Sequence, residues 1–586
     1  MNRFRRRAAW YMPTLLLLVA PPADAKPAVS IAWTGWTPDL FAHAQTDQRL
    51  VLLDLEAVWC HWCHVMDEKT YSNAKVRSLI AAHYLAVRVD QDARPDLSNR
   101  YESYGWPATV IFDSEGHELA KRRGFIEPTE MTALLAKLAR HPVPEPSDEE
   151  DAVQPASSPL LPPALVSELQ STQRESYDEK LGGWGSTHKL LFGEPEELAM
   201  GDADPQQQEH ARRALHEALS LIDPVWGGAY QYSVRTWHEP HFEKIAEIQA
   251  RNLFLYSLAY ARWGEQDDLK AAQAVSRYIA EFLTSTEGAL FTSQDADLVR
   301  GTHSAGYFAL DDAGRRRRGI PVVDRHIYAR ENGWMAGALA FFGSLTGDTD
   351  AIERAARAVR WVQAHRAAEG GGFHHGESDP AGTLYLDDTL EMGIAFLRLY
   401  EATAERTWLE AARRPATFIE AHFRSPSGGF STSQSALAAG LEPRPERGEN
   451  IRLVRFANVL FHETGDDQFR VLAETAMRFV AAPAVARRGP PAGVLLAALE
   501  LGRSPLHITI VGAKSDPVAK QLFDAARAAP TGYRRIEWWD RSEGPMPNAD
   551  VAYPELKQPA AFVCTEKSCS LPIRDPVRLQ DRLHPR

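Results

Sequence analysis

Three stretches of patterning predict a multidomain chain with an α/β N-terminal domain, an all-α (α/α)6 toroid and a small α/β C-terminal appendage. Strand-like and helix-like runs alternate over residues 31–140, helical periodicity then continues almost unbroken over 164–502, and strand signals return over 503–586. A chain of 586 residues exceeds what one core supports, so division into several domains is expected.

The first 25 residues have the layout of an export signal. Arg3, Arg5, Arg6 and Arg7 form a basic start, an apolar run extends to Ala20, and Ala23-Asp24-Ala25 is a small-x-small cleavage site. The run is short and contains Pro13, which argues against a stable membrane anchor. A mature protein beginning near Lys26, periplasmic or secreted, is expected. The formal net charge of −13 excludes nucleic acid as a main partner, and the Arg315-Arg316-Arg317-Arg318 run, bracketed by Gly314 and Gly319, reads as a solvated turn.

In the N-terminal domain a strand is expected over 51–55, a helix over 63–82, strands over 85–89 and 108–112, and a closing helix over 128–138. Residues 141–163 hold many prolines and the acidic cluster Asp148-Glu149-Glu150-Asp151, the composition of a linker. Beyond it, helical runs are punctuated by a recurring small motif: Gly182-Gly183-Trp184, Gly227-Gly228-Ala229-Tyr230, Gly288-Ala289-Leu290-Phe291, Gly370-Gly371-Gly372-Phe373 and Gly428-Gly429-Phe430. Helix pairs closed by such turns, five or six times over, suit a closed ring, with the glycines supplying positive φ and the aromatics plugging the barrel. An open helical solenoid is the alternative.

The chemistry-bearing motif is Trp59-Cys60-His61-Trp62-Cys63-His64, placed between the first strand and its helix. Two sulfurs one turn apart interchange between dithiol and disulfide, and a cysteine at a helix N-terminus gains thiolate character from the dipole and free N–H groups. Cys60 is the expected nucleophile and Cys63 the resolving thiol. Asp54, on the preceding strand, is placed to take the Cys63 proton, and Pro107 precedes the 108–112 strand, where a cis bond would set backbone beside the sulfurs. Trp59, His61, Trp62 and His64 are the expected tuning residues. Three rivals stand beside this reading. Cys-x-x-Cys-His also matches c-type haem attachment, but leaves Asp54, Trp59 and Pro107 unexplained. Metal ligation by Cys60, Cys63, His61 and His64 fails because one helical turn cannot aim four such groups at one ion. A purely structural disulfide is the third. No metal and no cofactor are expected.

Asp54, Trp59, Cys60, Cys63 and Pro107 together resemble the thioredoxin pattern, with His61-Trp62 in place of the usual Gly-Pro; an imidazole there suggests a depressed Cys60 pKa and a more oxidising pair. The longer run Trp59 to Met66 resembles a narrower family, spermatogenesis-associated protein 20 and its bacterial relatives, which join a thioredoxin-like domain to a six-hairpin toroid related to N-acylglucosamine 2-epimerases. The resemblance continues in Val89-Asp90-Gln91-Asp92, Gly105-Trp106-Pro107, Leu181-Gly182-Gly183-Trp184, Pro240-His241-Phe242-Glu243-Lys244, Asp295-Ala296-Asp297, Tyr385-Leu386-Asp387-Asp388 and the tail pair Cys564 and Cys569. Two departures stand out: Arg123-Gly124-Phe125 replaces a longer family stretch, and Ile245-Ala246-Glu247-Ile248 lacks an acid that family members often carry.

In the toroid, His241 and Glu243 are expected at a helix start, Asp295 and Asp297 after a turn, and Asp387 and Asp388 at another helix start. These six would line a cleft for carbohydrate, with paired carboxylates as acid and base. Each also has an ordinary structural reading as a cap or a tie between hairpins. Two functions follow. One is an exported thiol–disulfide oxidoreductase acting on a protein thiol or disulfide client, its toroid binding that client or a carbohydrate. The other is a carbohydrate-active or carbohydrate-binding protein with an accessory thioredoxin-like domain. Cys564 and Cys569, in an oxidising compartment, are expected to form a local structural disulfide.

Overall fold

In the N-terminal domain, strands β1 (Leu50–Glu56), β2 (Tyr84–Asp90), β3 (Ala108–Phe112) and β4 (Glu118–Arg123) form one sheet in the order β2-β1-β3-β4. β1 runs parallel to β2 and antiparallel to β3. The computed structural model describes residues 30–146, 153–185, 187–377, 382–436, 441–565 and 568–584; the expected export signal and the acidic cluster at 148–151 lie outside them. β1 is apolar almost throughout because both faces of the sheet are covered. Val51, Leu53 and Leu55 pack with Leu40, Phe41 and Leu97 on one face, while Leu52 packs with Met66, Ile80 and Leu135 on the other.

The single helix expected over 63–82 is instead two. His61–Met66 ends in a wide turn at Asp67–Tyr71, and a second helix, Ala74–His83, begins afresh with the Asn73 side chain accepting the N–H groups of Lys75 and Val76. An amide at an N-cap satisfies helix donors that a continuous helix would not leave free. β4 is also absent from the sequence reading. It is the edge strand, and its charged residues, of the kind that discourages edge-to-edge pairing, conceal it from a search for apolar alternation.

The helical region closes on itself. Six inner helices (Glu194–Gly201, Ala246–Trp263, Ala329–Thr346, Leu386–Thr403, Arg447–Thr464 and Ala492–Leu501) pack each against the next, and the last against the first. Outside them lie Pro205–Ala218, Gln266–Phe282, Thr349–Arg366, Arg406–His422 and Asp467–Val480, and the ring is completed by Pro163–Glu175 packing on Ala492–Leu501. Among the described residues this is a closed (α/α)6 ring, not an open solenoid.

The Gly-Gly-aromatic turns have a common device. Each folds back in a two-residue bridge, such as Ala367 with Phe373 or Arg424 with Phe430. The fourth residue of an inner helix then pins the turn. Gln249 bonds both backbone groups of Ala229, Asn332 those of Leu290 and Asn450 those of Phe430, while the Thr389 hydroxyl accepts from the Phe373 N–H. The glycines allow the approach: Gly228 has φ +76°, and a Cβ there would lie 2.6 Å from the Tyr278 ring.

The C-terminal region forms a three-stranded sheet from Leu506–Val511, Arg534–Trp539 and Ala560–Cys564, backed by Pro517–Arg527. It docks through Arg534 on Glu401 and Ser344, and through Tyr533, whose hydroxyl accepts from Asn458. Ser344 and Glu401 lie in the last turns of their inner helices, and Asn458 in the second half of its own. The N-terminal domain meets the opposite ends of the same helices, so the two α/β pieces cap opposite mouths of the ring.

Asn332→Ala leaves the Leu290 N–H and C=O buried without partners and is expected to cost ~2 kcal/mol. The test is thermal unfolding: the transition assigned to the toroid should move down while the Cys60–Cys63 disulfide still forms.

Candidate functional site

β1 delivers the chain to Cys60, which is the N-cap of His61–Met66 in extended backbone geometry. The Cys63 N–H donates to the Cys60 sulfur at 3.1 Å, and the two cysteines are joined as a disulfide. The Trp106–Pro107 bond is cis, ahead of β3. Both cysteines are only 3% exposed, and they pack with Ala57 and Trp59 against Trp106 and, from the toroid, Ile245. The Trp59 indole N–H donates to Asp92 at 2.7 Å.

Asp54 lies on β1 two residues after Leu52, and two-residue alternation puts both on the sheet face that carries the redox helix. It is fully buried and paired with Arg88 at 2.8 Å, whose guanidinium also holds Asp67 at 2.5 Å. Burial pushes the Asp54 carboxyl up to about 6 against the pull of Arg88. Arg88 and Asp67 escaped the sequence reading, and Asp92 entered it only within the family resemblance and with no role; Arg88 sits opposite Asp54 in the β1–β2 register, which is the signal that would have found it.

Four of the six toroid residues singled out in the sequence converge on the redox helix. The His61 ring Nδ1 lies 2.8 and 3.0 Å from the two Asp297 oxygens, and His64 Nδ1 lies 3.1 Å from Asp297. The other His64 nitrogen faces Asp295 at 3.9 Å. The His61 backbone N–H, at the start of the helix, donates to Glu243 at 3.4 Å. His241 stacks on Tyr232 and faces Trp62, which is the one motif side chain left substantially open, at 40%. His241 and Glu243 do not start a helix: His241 is in the strand Pro240–His241, Glu243 precedes the strand Lys244–Ile245, and the helix begins at Ala246. Asp295 and Asp297 follow the strand Ser293–Gln294.

Electrostatics bind the two pieces. Burial opposes a charge on His61, but the hydrogen bond and charge of Asp297, with Glu243 and Asp295, outweigh it and hold its pKa above the ordinary value. Burial likewise opposes ionisation of Asp297, yet the two imidazoles bring its carboxyl down to about 2. Burial raises Glu243 to about 7 and Asp295 to about 6, and lowers His241 to about 4. His64, Asp295 and Asp297 bring one donor atom each within 4.8 Å of one another, a spacing open to a divalent ion. The two His64 nitrogens already face a carboxylate each, so the same geometry reads as an imidazole held between acids.

Asp387 and Asp388 open the helix Leu386–Thr403, as the sequence suggests, but their partners lie off the helix His61–Met66. Asp387 pairs with Arg452 at 2.5 Å. Asp388 accepts the Arg330 N–H and holds His375, whose other ring nitrogen reaches the Asp92 carbonyl at 2.6 Å. His375, unremarked in the sequence, thus ties the toroid to the loop that supports Trp59. Cys564 and Cys569 form the second disulfide, in the appendage at the opposite mouth. Inner helices of 18 residues separate the two mouths by about 27 Å, which rules out direct exchange between the pairs in this arrangement.

These features define a protein with a thioredoxin-like domain, carrying a Cys60–Cys63 disulfide, fused to a helical toroid. The Thioredox_DsbH family model, described as a protein of unknown function, DUF255, matches residues 24–136. Human spermatogenesis-associated protein 20 is 23% identical over 714 aligned residues, covering 95% of this chain and 90% of its own. The chain is a homologue of that protein along nearly its whole length. The disulfide bond reductase DsbH of Chlamydia pneumoniae is 25% identical over 122 residues, covering 19% of this chain and 72% of its own. Among solved structures, cellobiose 2-epimerase from Bacillus thermoamylovorans is similar over 54% of this chain and 87% of its own, at 12% identity and a TM-score of 0.43.

Asp297→Asn removes the anchor of both imidazoles and is expected to speed reduction of Cys60–Cys63 by a small phosphine about tenfold, read by trapping the freed thiols. The pH dependence has a definite sign. The depressed Asp297 value makes its contribution present above the ordinary carboxylate range and lost in strong acid, while the raised His61 value makes its contribution present below about 6.5 and lost as pH rises through the folded value. Reduction should therefore be slowest in mildly acidic solution and accelerate on the alkaline side in wild type, with a flatter profile in Asp297→Asn.

Proposed function

We propose that this chain is an exported thiol–disulfide oxidoreductase. The observation that carries the reading is the Cys60–Cys63 pair at a helix N-terminus, with buried Asp54 on the sheet face that packs this helix and Trp106 packed against the two cysteines. In the reducing direction the Cys60 thiolate attacks a client disulfide and forms a mixed disulfide, releasing one client thiolate. Cys63, its proton passed to Asp54, then attacks Cys60, restores the Cys60–Cys63 bond and frees the second client sulfur. Two electrons pass to the client, and its two sulfurs leave as thiols. The name of the shorter relative, a disulfide bond reductase, supports the same chemistry. The basic, apolar and small-x-small start supports export, in keeping with two disulfides in the chain.

The toroid's share is recognition of the client, with a carbohydrate as a further ligand class. The carboxylates that a carbohydrate-active reading would use, Glu243, Asp295 and Asp297, lie against the redox helix, which favours the thiol reading for that group. No described helix is long and apolar enough to cross a membrane.

Turnover of hydroxyethyl disulfide and of insulin by the full chain tests the proposal. Cys60→Ser is expected to abolish both activities, and Cys63→Ser to stall as a mixed disulfide visible by mass spectrometry. Asp54→Asn should slow turnover about tenfold or more, the scale of a lost proton acceptor. Wild-type rates no higher than those of Cys60→Ser would rule the function out.

A further inference from the structure

The Cys60 sulfur lies where water does not reach it freely, yet thiol–disulfide exchange requires it to lose and regain a proton. Asp54 serves the other sulfur, and it is already held by Arg88 on the sheet. The imidazole that the sequence offers as a stabiliser of the thiolate has its charge matched by Asp297. What remains at the Cys60 end of the helix is Glu243. One of its oxygens accepts the His61 N–H, the first backbone donor after Cys60. The other is buried and, among the described residues, has no hydrogen-bond partner, in a residue only 3% exposed. A buried carboxyl oxygen without a partner carries a cost in the resting state, and a role at another stage of the reaction is one reason for a fold to keep it.

We propose that the toroid completes the redox centre: Glu243 exchanges a proton with Cys60, and Asp297 is a positioning residue that fixes His61 and His64 beside them. This rests on the thiol–disulfide reading above and extends it to residues of the second domain. As Cys60 attacks a client disulfide, its proton moves to Glu243 and the S–S bond of the client breaks. The departing client sulfur is then protonated from Glu243, so the carboxyl ends as it began. In the reverse direction Cys60 leaves the mixed disulfide as a thiolate and takes its proton from Glu243. Burial holds Glu243 near neutrality, where the carboxyl both gives and takes a proton. The charged and titratable groups around Cys60 among the described residues include His61 and His64 on its own helix, Glu243, Asp295, Asp297, His241 and His303 from the toroid, and Asp54 on β1.

The test is the pH dependence of iodoacetamide alkylation of Cys60 in the reduced full-length chain, with Cys60→Ser identifying the signal. Wild type should show two titrations, because Cys60 and Glu243 share a proton. Glu243→Gln should give one, with the apparent Cys60 pKa lowered by about 1 unit through loss of a like charge. Its equilibrium with glutathione should shift about tenfold toward the dithiol, about 30 mV for a two-electron couple. Glu243→Asp should restore the two-step profile. Asp297→Asn, which loosens the same contact but keeps the carboxyl, should keep it. A Glu243→Gln profile superimposable on wild type, or an identical change in Asp297→Asn, overturns the proposal. Alkylation needs no client, so an expected profile without hydroxyethyl disulfide turnover would sink the proposed function and leave the Glu243 pairing standing.

Discussion

The contact of His61 and His64 with Asp297 is the interaction on which the rest of the site depends. It joins residues 233 and 236 positions apart, places a charged pair where neither partner would be stable alone, and brings the toroid rim over the disulfide. An isolated buried carboxylate or imidazolium is expensive, and each removes the cost of the other. Removing one partner is therefore worse than removing both. His375 repeats the device a short way off, with Asp388 on one nitrogen and a backbone carbonyl of the redox domain on the other. The two ties make the thioredoxin-like domain a lid on the ring.

That lid needs a rigid seat, and the ring supplies it by repetition. Gln249, Asn332, Thr389 and Asn450 each occupy the fourth position of an inner helix and each fasten a Gly-Gly-aromatic turn. Buried polar groups that are fully paired specify geometry as well as stability. The segments carrying Glu243 and Asp297 belong to this framework: Lys244 is pinned by Asp223 at 2.7 Å, and Asp223 is clamped in turn by Arg315 at 2.6 Å. The arginine run of 315–318 thus contributes one fully buried residue to the core of the rim, where the sequence suggested a solvated turn.

Much of this was legible in the chain and some was not, for physical reasons. Cys60, Cys63, Asp54 and Pro107 announce themselves because a thiol site is built from nearby residues on consecutive elements. The toroid is visible because its turns repeat. The break at Ser72-Asn73 was missed because the apolar periodicity resumes in phase beyond it. β4 was missed because an edge strand can be charged. His241, Glu243, Asp295 and Asp297 stood out as chemistry-bearing, but their neighbours did not, since a contact between the first hundred residues and the third hundred leaves no local trace. His375 was invisible for the same reason.

The ring closes only when the helix Ala492–Leu501 meets Pro163–Glu175, near the two ends of the helical region. The order of synthesis then matters. The thioredoxin-like domain emerges first and folds as a unit, while Glu243 and Asp297 follow roughly 100 to 150 residues behind the end of its last helix and the closing helix some 350 behind, about 20 to 70 seconds at 5–20 residues per second. Until then the two cysteines have no rim over them and are open to any oxidant or reductant in the compartment. The first redox state of the newborn pair is thus set by its surroundings, and only later exchange takes place beneath the rim.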